Sequence, residues 1–168
     1  MIDLYGTHWR ELAAIRLSGR PVSKKNSKRI VKMGGRPVPL PSKAYVAWES
    51  VAHVEAMAQW REAKCWTAVG AEDEPVWLMI TAYWCGQRPD LSNVLCGPED
   101  VLQTAGVLTD DKWVSHHDGS RLYQVATKKE QHSVVRVFVP MTDLDETLRL
   151  ADAFGSDRKA AKTAREVV

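Results

Sequence analysis

Cysteine, phenylalanine and net charge are all scarce in this chain, whose 168 residues include three cysteines, two phenylalanines and a formal net charge of +2. Cys65, Cys85 and Cys96 form no C-x-x-C pair and no Cys/His spacing suited to a metal. Their odd number argues against a disulfide framework, so a reducing cytoplasm is expected. No stretch approaches the ~18 consecutive apolar residues of a membrane span. Asp3 stands where a secretory signal would be basic, so a soluble, cytoplasmic protein with no membrane partner is expected. There is no internal repeat. A composition of 45% hydrophobic and 26% charged residues suffices, at this length, for one domain with a real core and not for two comfortable ones.

Acidic residues are missing locally as well. Between Arg16 and Lys43 there are Arg20, Lys24, Lys25, Lys28, Arg29, Lys32 and Arg36 and no Asp or Glu. Within this span, Gly19-Arg20-Pro21-Val22-Ser23-Lys24-Lys25-Asn26-Ser27-Lys28-Arg29 reads as a flexible basic loop. A solvated charge run is one account of it. Phosphate contact through the cations and the free backbone N–H groups of a Gly- and Ser-containing loop is the other.

Around that loop, residues 11–17 form a short apolar strand, and residues 29–33 and 36–40 a hairpin about Gly34-Gly35. Ser42 is placed to cap a helix whose apolar face is expected at Ala47, Val51, Val54 and Ala58. Trp48 and Trp60 on that helix are read as core or interface anchors rather than base-stacking platforms, and His53 as a surface or boundary residue. Residues 76–85 are apolar on both alternating faces, which predicts a central strand. Residues 113–115 make a further strand, and residues 122–128 and 133–139 are expected to pair as an antiparallel hairpin. After Pro140 the composition changes: residues 143–153 are acidic and helical, and a basic, alanine-rich run follows from Arg158. Residues 1–140 are therefore taken as the domain and 141–168 as a helical or partly disordered tail.

The chemistry concentrates just after the central strand. Arg88-Pro89-Asp90-Leu91-Ser92-Asn93 is followed by Asp100, the Gly106 turn and Thr109-Asp110-Asp111-Lys112. Carboxylates close to turn formers at the edge of a core are what a site for a hard divalent cation requires. Asp90, Asp110 and Asp111 can equally be turn and cap residues. Gly97-Pro98 is expected to interrupt the helix that starts at Leu91. Pro98 would then open a new helix with Glu99 and Asp100 facing its positive end, and Asn93 would be an N-cap. His116-His117-Asp118 invites a zinc reading, but no second His or Cys group completes a tetrahedral site, and zinc is not expected.

The R-P-D-x-x-N segment, Asp100 and the Asp110-Asp111 pair, at this spacing, resemble the RusA-type Holliday-junction endonuclease family, and the resemblance spans roughly residues 15–140. Two positions depart from it: the family's second Asp is Ser92 here, and its basic residue, usually Lys, is Cys96. The resemblance implies a single mixed α/β (α+β) domain, a small twisted mixed sheet covered by helices, that forms a homodimer. It implies Mg²⁺, or Mn²⁺ in its place, and four-way junctions or other branched DNA as the substrate of recombination and repair. By the same resemblance Asp90, Asp100 and Asp111 are metal ligands that carry catalysis, and Asp110 is a ligand or outer-shell orienter. Asn93 supports the geometry, and Ser92 coordinates weakly or through water. Arg20, Lys24, Lys25, Lys28, Arg29 and Lys128 are the expected DNA contacts. Two other classes remain: a DNA-junction-binding module of the same fold with weakened or lost catalysis, favoured by Ser92 and Cys96, and an unrelated α/β enzyme acting on a small phosphorylated ligand.

Overall fold

The computed structural model of the chain describes residues 7–23 and 28–141, so Lys24, Lys25 and residues 142–168 of the tail lie outside the described residues. The chain divides into a main unit, Glu11–Val139, and a second unit drawn from both ends. In the described part of the second unit, Met141 N donates to His8 O at 2.7 Å.

In chain order the elements are β1 (Trp9–Ser18), β2 (Lys28–Met33), β3 (Arg36–Pro41), α1 (Lys43–Glu62), β4 (Val76–Trp84), α2 (Leu91–Thr104), a 3-10 turn (Asp111–Trp113), β5 (Val114–His116), β6 (Arg121–Gln124), a second 3-10 turn (Lys128–Glu130) and β7 (His132–Pro140). β4 is central, as its two-faced apolar pattern predicts. The sheet has five strands in the order β1-β7-β4-β5, and β6 also pairs with β4. It is mixed: β7 runs antiparallel to β4, while β5 and β6 run parallel to it. The core joins Ala13, Ile15 and Leu17 of β1, Leu78 and Ile80 of β4, and Val135 and Val137 of β7 to both helices. The fold is a small mixed α+β domain.

Three expectations about local structure are corrected. Residues 122–128 and 133–139 do not pair with each other, because β6 lies parallel to β4 with Tyr83 opposite Tyr123, and β7 lies antiparallel to it with Tyr83 opposite His132. A strand apolar on both faces is best buried with both of its edges paired, and β6 and β7 supply one edge each.

The buried stripe of α1 is Tyr45, Trp48, Ala52, Ala56 and Trp60, whereas Ala47, Val51, Val54 and Ala58 face outward. Two indoles and a phenol bury far more apolar area than a stripe of valine and alanine. Their polar atoms also find partners: Trp48 Nε1 donates to Ser18 O at 3.1 Å and Trp60 Nε1 to Thr67 O at 3.2 Å. Both tryptophans are core anchors, and Ser42 caps α1 by accepting from Tyr45 N at 3.0 Å.

Gly97-Pro98 does not break the helix, since α2 runs through Pro98. Both residues are buried, and a Cβ on Gly97 would come within 2.7 Å of the Val22 carbonyl oxygen. Packing of the 19–23 loop against a side-chain-free turn holds together a helix that loses one hydrogen bond at proline. Asn93 therefore lies inside the first turn, with Asp90 at the N-cap. Glu99 and Asp100 sit too deep in the helix to complement its positive end.

Candidate functional site

α2 carries acidic groups at two places. Asp90 occupies its N-cap position with an exposed side chain that makes no capping hydrogen bond, and its Oδ2 lies 3.5 Å from Asn93 Nδ2. Asp100 is ten residues on, so at about 1.5 Å per residue the two are separated by roughly 15 Å along the helix axis. Ser92 is exposed on the first turn, and its carbonyl accepts from the Cys96 thiol at 3.3 Å.

The second place is more crowded. Glu99 is largely buried, with its Oε1 3.2 Å from His117 Nε2. Its carboxyl is pushed up to about 7, first by burial and then by the charges of Asp111 and Asp100. The His117 ring is pushed the other way, below its ordinary value, mainly by burial. Asp100 also acts on Tyr45, whose hydroxyl donates to Glu49 Oε1 at 2.8 Å and is raised chiefly by burial. Glu99 and Asp100, on the last turns of α2, thus lie within electrostatic reach of Asp111 in the 3-10 turn.

Asp110 starts that turn as its cap: Oδ1 accepts from Lys112 N at 3.1 Å, and Oδ2 lies 3.5 Å from Lys112 Nζ. Its carboxyl is held below the usual range, first by that backbone N–H. Among the described residues no three His, Cys, Asp or Glu side chains converge on a common point as a metal site. In kind the donors nevertheless fit a hard cation, since all are carboxylates, and burial together with the charges of Asp111 and Asp100 raises the Glu99 carboxyl toward neutral pH.

Glu99 and His117 were not among the site residues expected from the sequence. Beside Pro98, Glu99 read as a helix-start residue, and His117 lay in a run that lacked zinc partners. A glutamate next to Asp100 on one helix was the available signal, and it needed the unbroken helix to be interpreted.

Cations gather elsewhere. β2 and β3 form a separate two-stranded sheet, Lys28 opposite Pro41 through Met33 opposite Arg36, closed by Gly34 and Gly35 at φ 56° and 80° as a hairpin of this length requires. None of its residues is buried, and it exposes Lys28, Arg29, Lys32 and Arg36, together with Ile30 and Met33. The Arg20 guanidinium carbon lies 4.2 Å from the centre of the Trp84 ring. Lys128 is exposed in the second 3-10 turn, which Glu130 ties down by accepting from Ala126 N and Thr127 N, each at 3.1 Å.

No protein-family model and no curated protein matches the chain. Among solved structures, the 2C-methyl-D-erythritol 2,4-cyclodiphosphate synthase of Plasmodium vivax is similar at 12% identity and a TM-score of 0.29, over 82% of this chain and 99% of that one. A likeness that low carries no argument about function. No helix among the described residues is long and apolar enough to cross a membrane.

Proposed function

We propose that the chain is a Mg²⁺-dependent endonuclease for branched DNA, four-way junctions included, acting in the cytoplasm as a homodimer. The observation that carries this reading is a largely buried Glu99 set within the fields of Asp111 and Asp100, its carboxyl lifted to about 7 first by burial and then by those two charges. Like charges gathered in a partly buried place are stabilised by a cation, and the RusA-type motif supplies the kind of cation and the substrate. Asp100 and Asp111 would hold it, with Glu99 within reach and Asp110 fixing the turn through Lys112. Bound there, Mg²⁺ supplies activation of a water and neutralisation of charge on the leaving oxygen.

The chain's own residues do the rest. The exposed β2–β3 ribbon offers four cations, and a two-stranded ribbon of this kind fits a DNA major groove. Arg20 adds a charge held in place on an indole face. Asp90, at the other end of α2, enters through the motif alone.

The test is cleavage of a synthetic four-way junction with and without Mg²⁺. Asp111→Asn, Asp100→Asn and Asp90→Asn should each abolish cleavage while leaving junction binding within a few fold, because removing negative charge does not weaken the hold on a polyanion. Ser92→Asp with Cys96→Lys should raise activity. If the parent chain cuts nothing under any divalent metal and the double variant fails too, the second reading takes over: a junction-binding module. Specific observations favour that second reading, namely Asp110 serving as a cap and Asp90 standing about 15 Å from Asp100.

A further inference from the structure

A cleft of about 410 Å³ opens between the 19–23 loop, the start of α1, the end of β4 and the first turn of α2. Its walls are apolar where Pro21, Trp84, Pro89 and Val94 meet, and polar at Arg20, Ser23 and Asn93. Ser23 is only 8% exposed, and among the described residues its hydroxyl finds no hydrogen-bond partner. A buried hydroxyl left unpaired is costly, and in a native protein it asks for an explanation such as a ligand that pairs with it. Trp84 is itself buried and fixed by Nε1 donating to Gln87 O at 2.8 Å, so the Arg20 guanidinium that rests on it is positioned at the wall.

We infer that this cleft takes one unpaired nucleotide of a nucleic-acid strand, a reading that rests on the nucleic-acid function proposed above. The volume lies within the range of about 300–1,000 Å³ typical of small-ligand pockets and is far too small for a duplex. A flat base fits between the prolines and Val94. Asn93, at the cleft wall, carries an amide of the kind that reads base edges, Ser23 adds a hydroxyl, and Arg20 receives the phosphate. The nucleotide would enter beside Asp90, which gives the motif end of α2 a role in choosing where a branched strand is held. The cleft therefore sets sequence preference at the branch point.

The test is calorimetric binding of the four deoxynucleoside monophosphates, with inorganic phosphate as the reference probe. The full chain should bind at least one nucleotide tighter than phosphate and should rank the four. Asn93→Ala and Ser23→Ala should compress that ranking by about tenfold, the scale on which a single base-edge hydrogen-bonding group discriminates. Ala44→Trp, at an exposed position on the cleft wall that carries no polar side chain, should block nucleotide binding without removing a polar group. Equal affinity for the four nucleotides and for phosphate, or full binding by Ala44→Trp, would overturn the inference. Nucleotide ranking without any DNA cleavage would keep the cleft and remove the nuclease, whereas junction cleavage without nucleotide binding would do the reverse.

Discussion

Replacing Glu99 with Gln should stabilise the protein above neutral pH and remove a stability loss that the parent chain suffers as pH rises. The sign follows from linkage. A carboxyl whose folded pKa is raised binds its proton more tightly in the folded state, so between its ordinary 4.5 and about 7 the folded state holds more protons than the unfolded one. Stability from this group is therefore greatest below 4.5, falls across that window and stays low above it. At about 1.4 kcal/mol per pH unit the full span corresponds to about 3 kcal/mol, an upper figure for a side chain that is 16% exposed.

His117 works in the opposite direction, because its folded pKa is lowered by burial, and its contribution is complete above 6.5 and lost as pH falls below that. Urea unfolding of the parent and Glu99→Gln between about pH 5 and about pH 8 separates the two, since His117 is common to both and a glutamine can still face its Nε2. The difference in unfolding free energy between the two proteins should grow with pH in favour of the variant. In the parent, added Mg²⁺ should shrink the penalty at the alkaline end. A difference that stays constant with pH would refute the claim that burial and the charges of Asp111 and Asp100 raise the Glu99 carboxyl.

Two further outcomes follow from other parts of the fold. Gly97→Ala should destabilise by about 1–3 kcal/mol in urea unfolding, because a Cβ placed 2.7 Å from Val22 O must push away the 19–23 loop, and it should weaken DNA binding along with stability. The combined Arg20→Ala, Lys28→Ala and Arg29→Ala variant should lower the slope of log affinity for junction DNA against log salt by up to ~0.9 for each phosphate that is no longer neutralised, and an unchanged slope would take the ribbon out of the interface.

The elements legible in the sequence were those whose local signal and tertiary role coincide. β4 is apolar on both faces and is the middle of the sheet, Gly34-Gly35 joins two β-forming runs and closes a hairpin, and Ser42 precedes a helix and caps it. The errors share a different cause. On α1 a valine and alanine stripe and a tryptophan and tyrosine stripe compete at the same period, and the sequence pattern does not weigh one face against the other. Burial does, and the larger aromatic area wins. At Pro98 the local rule said stop. A loop from a distant part of the chain overruled it by packing against Gly97.

The same difference decides how much of the site could be read. The positions of Asp90, Asp100, Asp110 and Asp111 were evident, but whether they form one cluster depends on the length of α2, and that depended on Pro98. With the helix unbroken, Asp100 acts electrostatically on Tyr45 and, with Asp111, on Glu99, while Asp90 stays at the far end beside the cleft that Arg20 and Ser23 line. One acidic motif is thereby divided between two neighbourhoods of unlike character: a carboxylate end at Glu99, Asp100 and Asp111, which we propose takes the cation, and a cleft end with the Arg20 guanidinium and the buried Ser23 hydroxyl, which we propose takes the nucleotide. On the proposed reading, a strand crossing α2 from the cleft to Asp100 would span roughly 15 Å along the axis, about four nucleotides at the ~3.4 Å rise of duplex DNA and fewer in a stretched single strand. If both proposals hold, the separation along one helix would act as a ruler between recognition and chemistry; if cleavage fails, the same separation is what a junction-binding module would show.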